Sequence, residues 1–290
     1  MTLDFFLNVI IAGMLTGSVY GLMALGLSLI FGVMHVVNFA HGEMMVAGMY
    51  VAFVLHAVFG VDVMALLPVV AAILFAFGYL LQRGLINRFV AAPQHQQFLL
   101  LVAIAMILTN TQLMIFGPDA RSIQVDYAFD SFEIGPLLLD KVRVYAAGTA
   151  LCLITLLYGF LQYTRTGKSL RACADNHLGA LVVGLDVSRL YAVTFGIGAA
   201  CVGAAGTLML LLVDVHPHLA VDYTLLAFVI VIVGGLGSMG GALLGGILIG
   251  LSEAMAGVLI SPSMKSMFSF GLLILVLLLR PQGLLGKPSS

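Results

Sequence analysis

The chain has 290 residues, 62% hydrophobic and 9% charged, with mean hydropathy +1.16 and formal net charge -1. Soluble domains carry roughly 25% charged residues, so soluble readings are set aside, and near-neutral charge points to no nucleic-acid partner. The apolar runs are continuous and longer than the ~10-residue alternating segments of a transmembrane barrel. What remains is an all-α, polytopic transmembrane helical bundle.

The opening "MTLDFFLNVIIAGML" lacks the basic stretch of a cleavable signal peptide. With about 20 apolar residues needed per crossing, spans are expected near 5–31, 43–59, 63–81, 97–116, 143–163, 190–212, 224–259 and 265–280. The 224–259 run is too long for one ordinary helix and is interrupted by "GGLGSMGG" at 234–241. Eight to ten membrane-embedded segments are therefore expected, with broken or re-entrant elements, in one domain over 1–290. Cys152, Cys173 and Cys201 are scattered without metal spacing and read as packing residues.

Charge sets the expected orientation. The segments 82–96, 164–189 and 280–290 hold Arg83, Arg88, Arg165, Lys168, Arg171, Arg189, Arg280 and Lys287, against the acids Asp175 and Asp186. Basic loops stay in the cytoplasm, so these segments are expected inside and the acidic loop 117–142 outside, in the periplasm. The N-terminal segment carries no Lys or Arg and has no assigned side. Without Trp, the tyrosines near span ends (Tyr50, Tyr79, Tyr145, Tyr163, Tyr191) are candidates for the interfacial belt.

Two acids fall inside apolar spans, Glu43 and Glu253. An intramembrane carboxylate is a functional-site candidate. A helix-start or interhelical hydrogen-bond role accounts for Glu43 equally well, because a helix dipole favours an anion at its N-terminus, and for Glu253 better. Glycines at 17, 21 and 26, and small residues over 196–206, read first as close helix packing. Two stretches also read as helix breaks at membrane depth, where irregular backbone lines a cavity or is buried in protein. They are "FGVMHVVNFAHGE" (31–43), with Asn38, His41, Gly42 and Glu43, and "GGLGSMGG", with Gly234, Gly235, Gly237 and Ser238.

The basic segment "TRTGKSLRACADNHLGALVVGLDVSRL" (164–190) has partial helical periodicity, with Leu170, Cys173, Ala174 and His177 on one face. A helix this short is marginal in water, so it either docks on a partner or lies on lipid headgroups.

At this point the sequence resembles a known family. "YGLMALGLSLIFGVMHVVNFAHGEMMVAGMY", "RTGKSLRACADNHLGALVVGLDVSRL", "VIVGGLGSMGGALLGGILIG" and "RPQGLLG" resemble, in order and nearly end to end, the LivH-type permeases of branched-chain amino acid ABC transporters. The resemblance implies a membrane-spanning importer subunit of the bacterial inner (cytoplasmic) membrane. Its implied partners are a second homologous permease of the LivM type, two cytoplasmic ATPase subunits and a periplasmic substrate-binding protein. No G-x-x-x-x-G-K-[ST] occurs, so the chain is expected to be no enzyme and to bind no cofactor; ATP and Mg belong to the ATPases. It further implies an ATPase-coupling role for Arg165, Gly167, Arg171, Ala172, Ala174, Asn176, Gly184 and Asp186. The loop has Arg-Ala-Cys-Ala where ordinary ABC importers have Glu-Ala-Ala.

His41-Gly42-Glu43 is then expected to form a polar break beside the translocation path, with Gly42 permitting the turn and gating favoured over direct substrate contact. Cargo is expected to be a branched-chain or other hydrophobic amino acid, with urea, amides or aromatic acids as alternatives. A proton-coupled carrier using Glu43 or Glu253 is opposed by the basic loop, which such a carrier does not need. An intramembrane enzyme lacks a paired acid or nucleophile.

Overall fold

The structure is a computed structural model, and it describes residues 3–90, 92–135, 137–261 and 264–286. Lys287, counted above among the basic residues, lies outside them. Among the described residues, nine apolar helices form the bundle: α1 (Leu3–Met34), α2 (His41–Phe59), α3 (Val63–Gly84), α4 (Gln94–Phe116) and α5 (Lys141–Tyr163), then α8 (Val187–Met209), α9 (Leu219–Gly234), α10 (Met239–Leu259) and α11 (Lys265–Leu279). Between α5 and α8 lie two short helices, α6 (Arg165–Asp175) and α7 (His177–Val182). Seven of the nine are long and apolar enough to cross a membrane. With 16 and 15 residues, α9 and α11 reach only about 24 Å at 1.5 Å per residue, short of a ~30 Å hydrocarbon core. The long 224–259 run resolves into two helices separated at 235–238.

Helix ends fall where capping residues stand. Asp62, Asp140 and Asp186 each accept a first-turn N–H of the helix they precede. α9 starts at Leu219, five residues ahead of the sequence expectation of 224, and absorbs Asp222. An acid in a first helical turn is favoured by the helix dipole, so Asp222 marks the start of the helix and not a loop before it.

The packing is organised by backbone contact. α1 is the central helix, with Leu22, Met23, Leu25 and Ile30 fully buried. It runs antiparallel to α10, with Gly13 against Gly250, Gly17 against Gly246 and Gly21 against Leu243. A Cβ at Gly17 would lie 2.7 Å from Ile247 Cα, and one at Gly250 only 2.5 Å from Gly17 Cα. α8 is the second buried helix, and its small residues receive three neighbours. Gly198 faces Gly26 of α1, Gly203 faces Gly48 of α2, and Gly203 also takes Leu74 of α3. Small residues let helix backbones approach in lipid, where association depends on van der Waals contact more than on hydrophobic burial. The outer helices turn apolar side chains outward, with Met114 89% and Leu278 80% exposed.

One end of the bundle, the basic end, carries the described parts of 82–96 together with α6, α7 and 280–286. The other carries 117–140, where the strands β1 (Ser131–Ile134) and β2 (Leu137–Asp140) pair antiparallel around Gly135. Asn8 Oδ1 accepts from Leu138 N at 3.0 Å, so α1 starts at this acidic end and finishes at the basic end.

Candidate functional site at the broken helices

The chain leaves α1 at Met34, passes His35 in the left-handed region (φ 54) and crosses 35–40 without helix. It re-enters helix at His41, whose Nε2 is 3.0 Å from Met23 O. Since a carbonyl only accepts, Nε2 carries the proton. Met23 lies eleven residues back along α1, about 16 Å at helical rise, so α2 begins deep inside the bundle. This is the helix break expected from the sequence, with one correction. The irregular backbone is 35–40, and His41-Gly42-Glu43 is the first turn of α2. Gly42 is likewise not a turn glycine, since it lies in helix and has no positive φ. It is needed because α9 passes against it: a Cβ there would overlap Ala220 O and lie 2.7 Å from Thr224 N.

The start of α2 is fastened on several sides. Asn38 Oδ1 accepts from Ala40 N (3.1 Å), and Gly42 N donates to Thr224 Oγ1 (2.8 Å). Thr224 Oγ1 in turn donates to Glu43 Oε2 (3.3 Å), and Gln112 Nε2 of α4 donates to Glu43 O (3.0 Å). Asn38 and His41 are fully buried, and Glu43 is 4% exposed. Glu43 therefore stands in the first turn of its helix, at the positive end of the helix dipole, with a hydroxyl partner. Buried His41 Nδ1 and Gln112 Oε1 have no hydrogen-bond partner among the described residues. Sequence reading missed Thr224, Gln112 and Met23. Gln112 is a polar residue within an apolar span and was detectable, whereas Met23 acts through its backbone and leaves no sequence signal.

Glu253 belongs to a different network. Its Oε2 accepts from Tyr20 OH (3.1 Å) and its Oε1 from Ser269 Oγ (3.0 Å), tying α10 to α1 and α11. The two carboxylates have separate partners. Among the described residues, no three His, Cys, Asp or Glu side chains converge to hold a metal ion.

The second break is the elbow between α9 and α10. Gly235 and Gly237 hold φ of 105° and 78°, conformations costly for other residues. Ser238 Oγ accepts from Gly241 N (3.1 Å) and caps α10, while Ser28 Oγ donates to Ser238 O (3.3 Å). A Cβ at Gly234 would overlap the Gly241 carbonyl. The final carbonyls of α9 are capped from an unexpected source, the terminal "RPQGLLG". Leu284 N donates to Val233 O and Leu285 N to Gly234 O, each at 2.9 Å.

In the basic segment, the motif residues divide by role. Thr164 and Asn176 cap α6 and α7, Gly184 turns the chain at φ 82°, and Asp186 caps α8. Gly167 packs against the end of α5, where a Cβ would overlap Phe160 O. Arg165, Arg171 and Ala172 are exposed, and Ala174 is half-buried. The expected helical face joining Leu170 and Cys173 to His177 is not formed, because Asn176 ends α6 at φ -152° and starts a new helix. α7 and its exit then expose Leu178 (71%), Val182 (87%) and Val183 (74%) at the basic end.

A bundle of apolar helices with two buried breaks is the architecture of a multi-pass membrane transporter. Residues 9–277 match the family described as branched-chain amino acid transport system, permease component, and the chain belongs to that family. It is 31% identical to the high-affinity branched-chain amino acid transport system permease protein LivH of Salmonella typhimurium, over 98% of this chain and 96% of that protein. Identity to BraD of Pseudomonas aeruginosa, a permease protein of the same description, is 29% over the same shares. LivM of Escherichia coli K12 is 24% identical over 92% of this chain and 68% of its own length. No solved structure matches.

Glu43→Gln keeps the size of the side chain and an oxygen for Thr224. Uptake is expected to stay near wild type and to show no new pH dependence between pH 5 and 8. Thr224→Val, equal in volume, strips Gly42 N of its partner and is expected to cost roughly 1–3 kcal/mol. Thermal melts of both variants in detergent check the pair, and a dead but folded Glu43→Gln would restore the proton-relay reading.

Proposed function

We propose that this chain is the permease subunit of an ABC importer for branched-chain or other hydrophobic amino acids, placed in a bacterial inner membrane. The basic end faces the cytoplasm, as the distribution of Arg and Lys favours, and segment 117–140 faces the periplasm, where a binding protein delivers cargo. A second, LivM-like permease completes the pathway, and two ATPase subunits bind ATP and Mg and drive it. The match to branched-chain amino acid permeases along nearly the whole chain supports the cargo class.

The observation that carries the coupling mechanism is the exposed apolar tip on α7, at the end of the bundle that also exposes Arg165, Lys168, Arg171 and Arg189. Large apolar side chains at the basic end, beyond the spans, mark an interaction surface. α6, seated on α5 by Gly167, passes movement of that tip to the bundle. The break at 35–40 and the elbow at 235–238 are where the helices yield in alternating access, and the network around Glu43 holds the closed arrangement. Leu178→Asp combined with Val182→Asp is expected to leave the bundle folded and to release the ATPases during affinity purification. ATPases retained in stoichiometric amount, with uptake intact, would sink the docking assignment.

A further inference from the structure

A cavity of about 750 Å³ lies at the basic end, bounded by the last turns of α1, by α6, by the α9–α10 elbow and by the terminal segment. Four stretches far apart in sequence meet around this space. Its walls divide chemically. α6 contributes Arg171, exposed and with a long hydrogen bond from Nη2 to Gln162 O (3.4 Å), and, one turn on, the exposed carboxylate of Asp175. Leu29, Ile232, Leu236 and Leu285 supply an apolar wall. A guanidinium is always charged and its forked donors match a carboxylate, while apolar groups converging beside charged ones favour a small amphiphile.

We propose that this cavity binds a free amino acid with an apolar side chain, its carboxylate on Arg171 and its side chain against Leu29, Ile232 and Leu236. The proposal rests on the cargo class proposed above and adds a site for that cargo on the release side. A molecule bound there bridges α6 to α1 and the elbow. It therefore holds the docking helix against the bundle, and amino acid accumulated at the basic end restrains the transporter that imports it.

Cys173 reports the state of α6 without an activity assay. It lies on the α6 face turned into the bundle and is 2% exposed. Burial pushes its thiol pKa above the ordinary value, against a smaller opposing effect of the Tyr191 hydroxyl, so maleimide labelling requires α6 to lift. The experiment uses the permease purified with its co-purifying subunits, without binding protein, and with exposed Cys152 replaced by Ser. Labelled leucine is expected to bind at equilibrium and to slow labelling of Cys173; glycine and leucinamide, each lacking one half of the recognition, are expected to do neither. Arg171→Gln is expected to weaken binding about tenfold by loss of one charged hydrogen-bonding partner, and Ile232→Trp, which reshapes the apolar wall, to weaken it as well. Leucine binding unaltered in both variants, or protection of Cys173 by detergent or lipid alone, would overturn the proposal. If another acid proves to be the cargo and that acid protects Cys173 in place of leucine, the site stands and only the cargo reading fails.

Discussion

Gly42→Ala is expected to reduce uptake to background. The added methyl would overlap the Ala220 carbonyl and come within 2.5 Å of Thr224 Oγ1 and 2.7 Å of Thr224 N. Two of the three obstacles are main chain, so relief requires α2 and α9 to separate. Overpacking of this kind costs about 1–3 kcal/mol, and separation also breaks the bond from Gly42 N to Thr224. The displaced element is the start of α2, which places His41 on Met23 and Glu43 on Gln112. Thr224→Ala removes only the hydroxyl and is expected not to rescue the variant, because Ala220 O remains. Uptake assays paired with thermal melts of purified protein check this. Normal uptake by Gly42→Ala would mean that α2 and α9 do not meet as described.

The second large effect is expected at the α1–α10 seam. In Gly246→Leu, the new Cβ alone would fall 2.6 Å from Gly21 Cα and 2.7 Å from Gly17 O, leaving the rest of the leucine no room. α1 is the central helix, so prising α10 from it exposes the middle of the bundle and not one edge. The variant is expected to be lost from the membrane or to aggregate on size exclusion in detergent. Gly159→Leu in α5 provides the control, since nothing lies within 4 Å of a Cβ there, and it is expected to match wild type. Equal yields of the two variants would contradict the seam.

Much of this was legible in the sequence for identifiable physical reasons. Continuous apolar runs fixed the spans because hydrocarbon demands them, and the clustered glycines marked the seams. "GGLGSMGG" was readable as a break because two of its glycines supply positive φ. Glu43 and Glu253 stood out because carboxylates are rare in lipid, yet their separate networks depend on which helices pack together, and that is a tertiary fact. Gly42 was noticed with the wrong reason attached, since close approach by α9 looks the same in sequence as a turn. His177 was placed on the α6 face because periodicity continues through Asn176, which in space caps a new helix. The capping of α9 by Leu284 and Leu285 uses main-chain N–H groups, to which composition and periodicity are blind.

On the proposed function, this chain moves an apolar amino acid under the control of ATP-hydrolysing partners bound at its basic end. The most direct measurement is leucine uptake into proteoliposomes holding the co-purified complex, with binding protein outside and ATP inside. Uptake is expected to require internal ATP, to stop with vanadate and to ignore a protonophore. Uptake that persists without ATP and collapses with the protonophore would contradict the account and return Glu43 and Glu253 to candidacy as proton carriers.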